Sequence, residues 1–338
     1  MANLFQQITS FKRDGLYGKG DSPLHPFRVM VFKEVSDHVR SWRFIILAIL
    51  MLLTCMGSLY TSITNLAKAT KPGDPEGAFF FLKLFTVSDG SLPPFHMFIM
   101  FLGPLIGISL GFDAINSEQN GRTLSRIMAQ PVHRDYLINA KFVASLIVIS
   151  VMFFALDMLV MGLGLIIIGI PPTAGEFLRV MSFLVLSILY VAFWLNLSIL
   201  FSVRFRQAAT SALTSIAIWL FFTVFYQILV NLVARVIIPS PDMASPDQVI
   251  RSQKLVLGLS RLTPGQLFSD ATTTLLRPSI RSLGPLTMSQ VYGAIPSPLP
   301  LGQSLLLVWP QLTGLIAATV LCFALSYVFF MRREIRSR

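Results

Sequence analysis

Six long apolar runs constrain this chain more than anything else it contains. They cover roughly 44–64, 95–112, 141–170, 178–203, 208–234 and 305–331. A helix needs about 20 mostly apolar residues to cross a bilayer, and each run is of that order. Strands that cross a membrane alternate apolar and polar residues over about 10 positions. These runs do not alternate, so helices are expected. Composition agrees, since only 13% of residues are charged and mean hydropathy is +0.69, whereas soluble domains carry about 25% charged residues. The chain reads as an all-α membrane protein with six transmembrane helices. The second run holds Gly103, Pro104 and Gly107, so a kink or irregularity is expected there.

Lysine and arginine resist translocation and mark the cytoplasmic side of a membrane protein. With the amino terminus inside, the segments 1–43, 113–141, 204–207 and 332–338 hold seventeen Lys and Arg. The short outer loops hold only Lys68, Lys71, Lys83 and Arg179. Arg235 and the five basic residues of 239–304 weigh little, because long loops translocate largely regardless of charge. Both termini are therefore expected in the cytoplasm. The net charge of +11 suits anionic lipid on that face and gives no reason to invoke nucleic acid.

Residues 1–43 divide into a polar tail and a helix. From residue 24, Phe27, Met30, Val31, Val35, Val39 and Trp42 form a helical stripe, with Arg28, Lys33, Asp37 and Arg40 mostly opposite. This predicts an N-terminal amphipathic interfacial helix lying in the membrane plane. The plainer reading is a cytoplasmic helix packed on protein. The first 43 residues are too polar for a signal peptide, so the first span is expected to act as an uncleaved insertion signal. Cys55 and Cys322 both lie in apolar runs, which leaves no disulfide framework outside the membrane.

The loop 113–140 is basic and patterned. Leu124, Ile127 and Met128 repeat at i, i+3, i+4, one face of a helix, while Arg122, Ser125 and Arg126 lie off that face. Gly121 permits a bend before this short helix, and Pro131 ends it. Topology alone requires charge but no helical pattern.

The segment 239–304 is the largest soluble piece and holds nine of the twenty prolines. Two helices are still predicted. Leu255, Val256, Leu259 and Leu262 mark the first. Thr263-Pro264-Gly265-Gln266 opens the second with a capping box and a proline at its first position, and that helix runs to about Leu276. The pair is expected to rest on the outer leaflet or to cap the bundle.

Motifs for chemistry are missing. Gly15 to Gly20 has glycines and a lysine, but not at phosphate-loop spacing. No zinc pattern appears. Any ATP hydrolysis is expected from another chain, and this chain is expected to bind no cofactor itself.

After the second run come Glu118, Gly121, Thr123-Leu124, then Pro131-Val132, Arg134 and Lys141. Before the sixth come Leu262-Thr263-Pro264, Phe268 and Ala271. In that order these residues resemble the permease subunits of type-two ABC exporters, the branch with nitrous-oxide-reductase accessory and sodium- or drug-efflux permeases. The resemblance covers the whole chain, with 44–334 as the six-helix permease domain. It departs at 239–304, which is longer than the family's minimal pattern. It implies that the 113–140 loop docks into a groove on a separate cytoplasmic ABC ATPase. ATP and Mg on that partner would then drive movement of the spans. The coupling surface it implies is Asp113, Glu118, Gly121, Arg122, Leu124, Arg126, Pro131 and Arg134. Glu118 and the arginines would make charged contacts, and Leu124 would pack. Two ATPases and two permease copies, identical or paralogous, would form the assembly in a bacterial inner membrane. A periplasmic partner on 239–304 is open.

Asp157 is the only acidic residue deep in a run. A charge there costs at least about 2.5–3.5 kcal/mol. It reads either as a substrate or cation contact, or as hydrogen-bonded to a neighbouring helix, for instance at Tyr190 or Asn196. In the fifth run Thr223, Gln227, Asn231 and Arg235 sit four apart, with Ser211, Ser215 and Trp219 extending the stripe inward. A polar stripe through a span faces protein or water rather than lipid. It reads as lining a translocation path between two permease copies, or as interhelical hydrogen bonding. Two other functional classes remain: an ion-coupled secondary carrier using Asp157, and a mechanotransmitting anchor for a periplasmic partner.

Overall fold

A computed structural model describes residues 25–69, 79–88, 90–121, 123–129, 133–169, 171–237, 246–285 and 298–332. The described chain is helical and without strands. Six helices are long and apolar enough to span a membrane: Trp42–Leu66, Phe95–Asn120, Arg134–Ile168, Ala174–Arg204, Ala208–Val236 and Leu301–Arg332. They correspond one to one with the apolar runs. Before them lies α1 (Pro26–Val39). Between spans one and two lies α2 (Phe80–Thr86). The turn from span two into span three carries α3 (Asn116–Asn120) and α4 (Thr123–Met128). Between spans five and six lie α5 (Pro246–Ser260) and α6 (Pro264–Leu276).

Span four is the central post. It touches spans two, three, five and six as well as α6. Of its most apolar window 72% is buried, against 11% for span five, so span five is peripheral. Thr173 caps span four. Its Oγ1 accepts from Glu176 N at 3.2 Å, and Glu176 accepts from Thr173 N at 2.8 Å, a complete capping box. The other oxygen of Glu176 accepts from Phe81 N at 3.0 Å, which ties α2 to the head of the post.

The helix of span two runs unbroken from Phe95 to Gly111 with Pro104 inside it. The glycines expected to make it irregular instead form a contact seam. A methyl group on Gly107 would sit 2.7 Å from Val191 O and 3.0 Å from Leu195 N, and one on Gly111 2.8 Å from Leu195 O. Small residues four apart let two backbones approach closely inside a membrane. Sequence spacing alone could not tell a seam from a kink.

Helix α1 lays Val31 against Ala140 and Ala144 of span three, with Phe27, Met30 and Val35 alongside. Phe27 meets Tyr136 edge-on at 5.7 Å. Phe27, Met30, Val31 and Val35 of the predicted stripe are thus protein contacts, while its last members Val39 and Trp42 are exposed, as are Val29 and Phe32 off the stripe. The reading of a helix packed on protein holds for the Val31 face. One face packs on protein and another apolar face is uncovered.

The 239–304 segment corrects its expectation. Helix α6 neither rests outside nor caps the bundle; it inserts among spans two, four and six. Phe268 stacks on Tyr190 with ring centroids 4.5 Å apart, and Leu267 reaches Gly314. Tyr190 lies sixteen positions into span four, roughly 24 Å along its axis. At the other end of α6, Arg179 donates to Leu275 O at 2.9 Å and to Ser304 Oγ at 3.2 Å. The helix therefore starts deep and rises toward the head of span four. Phe268, Ala271 and Leu275 are almost fully buried, and that apolar face is the physical reason for insertion. The predicted cap is half made. Thr263 accepts from Gln266 N at 3.2 Å, but the Gln266 side chain donates to Asp270 at 2.7 Å instead of reaching back. Leu255 of α5 and Leu262, just after its end, are exposed.

Candidate coupling loop and polar groups within the spans

Beyond Gly111 the chain turns through Asp113 and passes α3 and α4 before Arg134 opens span three. Ser202, near the end of span four, accepts from Ile115 N at 2.9 Å and Asn116 N at 3.3 Å. Asn120 Nδ2 donates to Arg206 O at 3.2 Å. Asp113 pairs with Arg43 at 2.7 Å, and the same guanidinium lies 4.8 Å over the Phe112 ring. The hydroxyl of Thr123 donates to the Glu118 carboxylate and backbone, which closes the bend at Gly121. The loop is held from span one, span four and the span four–five turn.

A charge cluster lies behind it. Lys141 Nζ is 3.0 Å from Glu34 Oε2 and 3.4 Å from Glu118 Oε1. Lys33 reaches Glu34 at 3.0 Å, Asp37 at 3.3 Å and Glu118 at 3.8 Å. Two lysines thus join α1, α3 and span three. Burial works against the charge on Glu34, but Lys141 and Lys33 outweigh it and hold the carboxyl below its ordinary value of 4.5. Burial opposes the charge of Lys33 as well, and the surrounding carboxylates still raise it. His38 packs beside the cluster with Nε2 3.0 Å from Ser145 Oγ. Burial lowers its pKa from 6.5 against the attraction of Glu34.

The implied coupling residues therefore separate into two groups. Gly121 and Arg126 are exposed and form the outward surface together with Thr123 and Ala129. Asp113 and Glu118 are bound within the protein by Arg43 and Lys141. Leu124 is buried in the main core rather than offered outward. Arg134 donates to Phe330 O at 2.6 Å and lies 5.1 Å over the Phe330 ring, which ties span three to span six. Arg122 and Pro131 lie outside the described residues. Leu124 packs inward because any helix under a bundle buries its apolar face first.

Sequence reading missed Glu34, Lys33 and Arg43 as organisers of this region. One signal was available for Glu34. It sits on the apolar stripe of α1 between Val31 and Val35, where an unpaired carboxylate would be costly. Lys141 enters the sequence reading through the cytoplasmic charge count and the family motif, with no partner assigned to it.

Asp157 is fully buried, and neither carboxylate oxygen has a hydrogen-bond partner among the described residues. The suggested partners are engaged elsewhere: Tyr190 donates to Met100 O at 2.9 Å, and Asn196 Nδ2 lies 3.5 Å from Thr319 O. The span-five stripe is split. Ser211, Ser215 and Trp219 face inward and are buried, whereas Thr223, Gln227, Asn231 and Arg235 are exposed. The wider turn at Phe221–Phe225 follows Trp219 and contains Thr223, the first of the exposed set. A π turn adds one residue and rotates all that follows by about 100°, so spacing by four does not keep one face.

Six spans with a basic turn clamped between them define a polytopic membrane protein. The profile of the family described as ABC-2 family transporter protein matches residues 29–335, and the chain belongs to that family. It is a multi-pass membrane permease subunit of an ABC transporter, and the family implies association with an ABC ATPase and dimerisation. No curated protein matches the sequence significantly. Family membership displaces the ion-coupled carrier reading.

Proposed function

We propose that this permease is an exporter of a bacterial inner membrane, moved by ATP hydrolysis on two cytoplasmic ATPase subunits that press against the 113–129 turn. The single observation that supports this most is the clamping of that turn. Asp113, Asn120, Glu118 and the Ile115 amide are each tied to a different part of the bundle, while Arg126 stays exposed. A push on α4 would reach span one through Arg43, span three through Lys141 and the span four–five turn through Arg206. A loop that only set topology would need charge but none of these ties.

The second permease copy would sit against span five. Its uncovered face carries Thr223, Gln227, Asn231 and Arg235, which fit a protein or water-lined contact better than hydrocarbon. A path between two copies would then be lined by this stripe. ATP and Mg would be held on the ATPase subunits, with both termini of this chain in the cytoplasm.

The test is cysteine labelling and cross-linking at Arg126 in native membranes. Arg126→Cys should label from the cytoplasmic side and cross-link to an ATPase subunit. Labelling from the opposite side, or full retention of the ATPase both by Arg126→Glu and, separately, by a variant lacking α4, would sink the proposal.

A further inference from the structure

At the end of the bundle that carries the charge cluster, the end of span four, the turn after it and the end of span six border a cavity of about 560 Å³. Its walls are Val203, Arg204, Phe205, Arg206, Phe329 and Arg332. Arg204 closes span four and Arg332 lies in the last turn of span six. Arg206 sits in the short turn before span five. All three arginines are exposed. No carboxylate lines the cavity, and none of the three has an ion pair among the described residues. Phe205 leaves the helix in extended backbone and stacks on Phe201 at 5.9 Å, and Phe329 stands across the cavity, about half exposed.

Three guanidiniums around one opening repel one another unless an anion joins them. Guanidinium presents a planar fork of donors that matches phosphate. The apolar half of the wall excludes a fully hydrated ion as the natural occupant. The position, where helices of 31 and 32 residues end, is the level of the headgroups. A basic pocket between spans at that depth is the usual setting for an acidic headgroup.

We propose that this cavity binds the headgroup of an anionic phospholipid. The phosphate sits among Arg204, Arg206 and Arg332, and the glycerol and first methylenes lie against Phe205 and Phe329. With three positive charges and no carboxylate among the described lining residues, a lipid with two phosphates binds more tightly than one with a single phosphate. The inference needs the membrane fold but not the docking of an ATPase. It still touches the coupling turn, because Asn120 of that turn donates to the backbone oxygen of Arg206.

The experiment uses full-length permease purified without any ATPase and titrated in detergent micelles with cardiolipin, phosphatidylglycerol, phosphatidylcholine or inorganic phosphate. Binding is read by native mass spectrometry and by the shift in thermal unfolding. Cardiolipin should bind most tightly, phosphatidylglycerol less, and phosphatidylcholine and inorganic phosphate should give no shift. Combined Arg204→Gln, Arg206→Gln and Arg332→Gln should weaken cardiolipin at least tenfold. The same three changed to Lys should recover part of it, which separates loss of a site from loss of folding. Arg251→Gln with Lys254→Gln, in α5, should leave binding unchanged. Equal binding by the triple Gln variant, or a phosphate-induced shift matching that of cardiolipin, overturns the proposal. So does a triple Gln variant that keeps its lipid and loses only attachment of an ATPase, which would assign the arginines to that protein.

Discussion

Lys141 Nζ lies 3.0 Å from Glu34 Oε2, and these two side chains, 6% and 9% exposed, join a helix at the start of the chain to the base of span three. Breaking one partner of a buried pair leaves the other charge uncompensated, at a cost of about 3–5 kcal/mol. Lys33 still reaches Glu34 at 3.0 Å, so Lys141→Met should destabilise the purified protein by less than that full cost. Adding Glu34→Leu should restore much of the loss, since an apolar replacement of both partners is often neutral. Thermal unfolding of the two single variants and the double variant measures this. Additive losses would show that the pair is not coupled.

The same region sets a dependence on pH. His38 in the unfolded chain takes a proton near 6.5, while burial lowers its folded value. Glu34 behaves in the same sense below 4.5: burial opposes its charge, but its lysine neighbours lower its folded value. In both windows the unfolded state holds more protons, so stability falls as pH falls. The groups acting on His38 are Glu34, Lys141, Asp113 and Asp37. Unfolding temperature should fall below pH 6.5 and fall again below 4.5. His38→Gln should remove the first step only.

The glycine seam predicts a sharp contrast. Gly107→Val must drive spans two and four apart, because its first carbon already meets backbone at 2.7 Å. A loss of about 1–3 kcal/mol is expected. Gly162→Ala meets nothing within 4 Å and should be neutral or slightly stabilising. Unfolding midpoints in detergent compare them directly.

Asp157 has no partner for its carboxylate among the described residues. Asp157→Leu should raise thermal stability, since an acidic residue at mid-span costs about 3 kcal/mol on insertion scales. If the carboxylate serves transport, the variant should be stable and inactive in reconstituted vesicles. A stable variant with full transport would confine Asp157 to the bundle.

Gln227→Leu with Asn231→Leu should leave the single chain folded, because both side chains are exposed in it. Transport and permease-to-permease cross-linking should both fall. Unchanged cross-linking would remove span five from the contact between copies.

The sequence by itself determined the number of spans, the all-helical class, the Thr263 cap and the position of the basic turn. Each is written in local periodicity, charge and capping residues, which act over a few positions. Tertiary structure alone decided which way those residues face. Glu118 and Leu124 turn inward because Lys141 and the core lie behind them, and α6 sinks beside span four because Phe268 finds Tyr190, 78 positions earlier in the chain. The span-five stripe breaks where the backbone adds one residue to a turn, a choice that spacing by four does not reveal. Contacts between distant segments are fixed by shape and charge that become neighbours only once the helices assemble, so no local pattern records them.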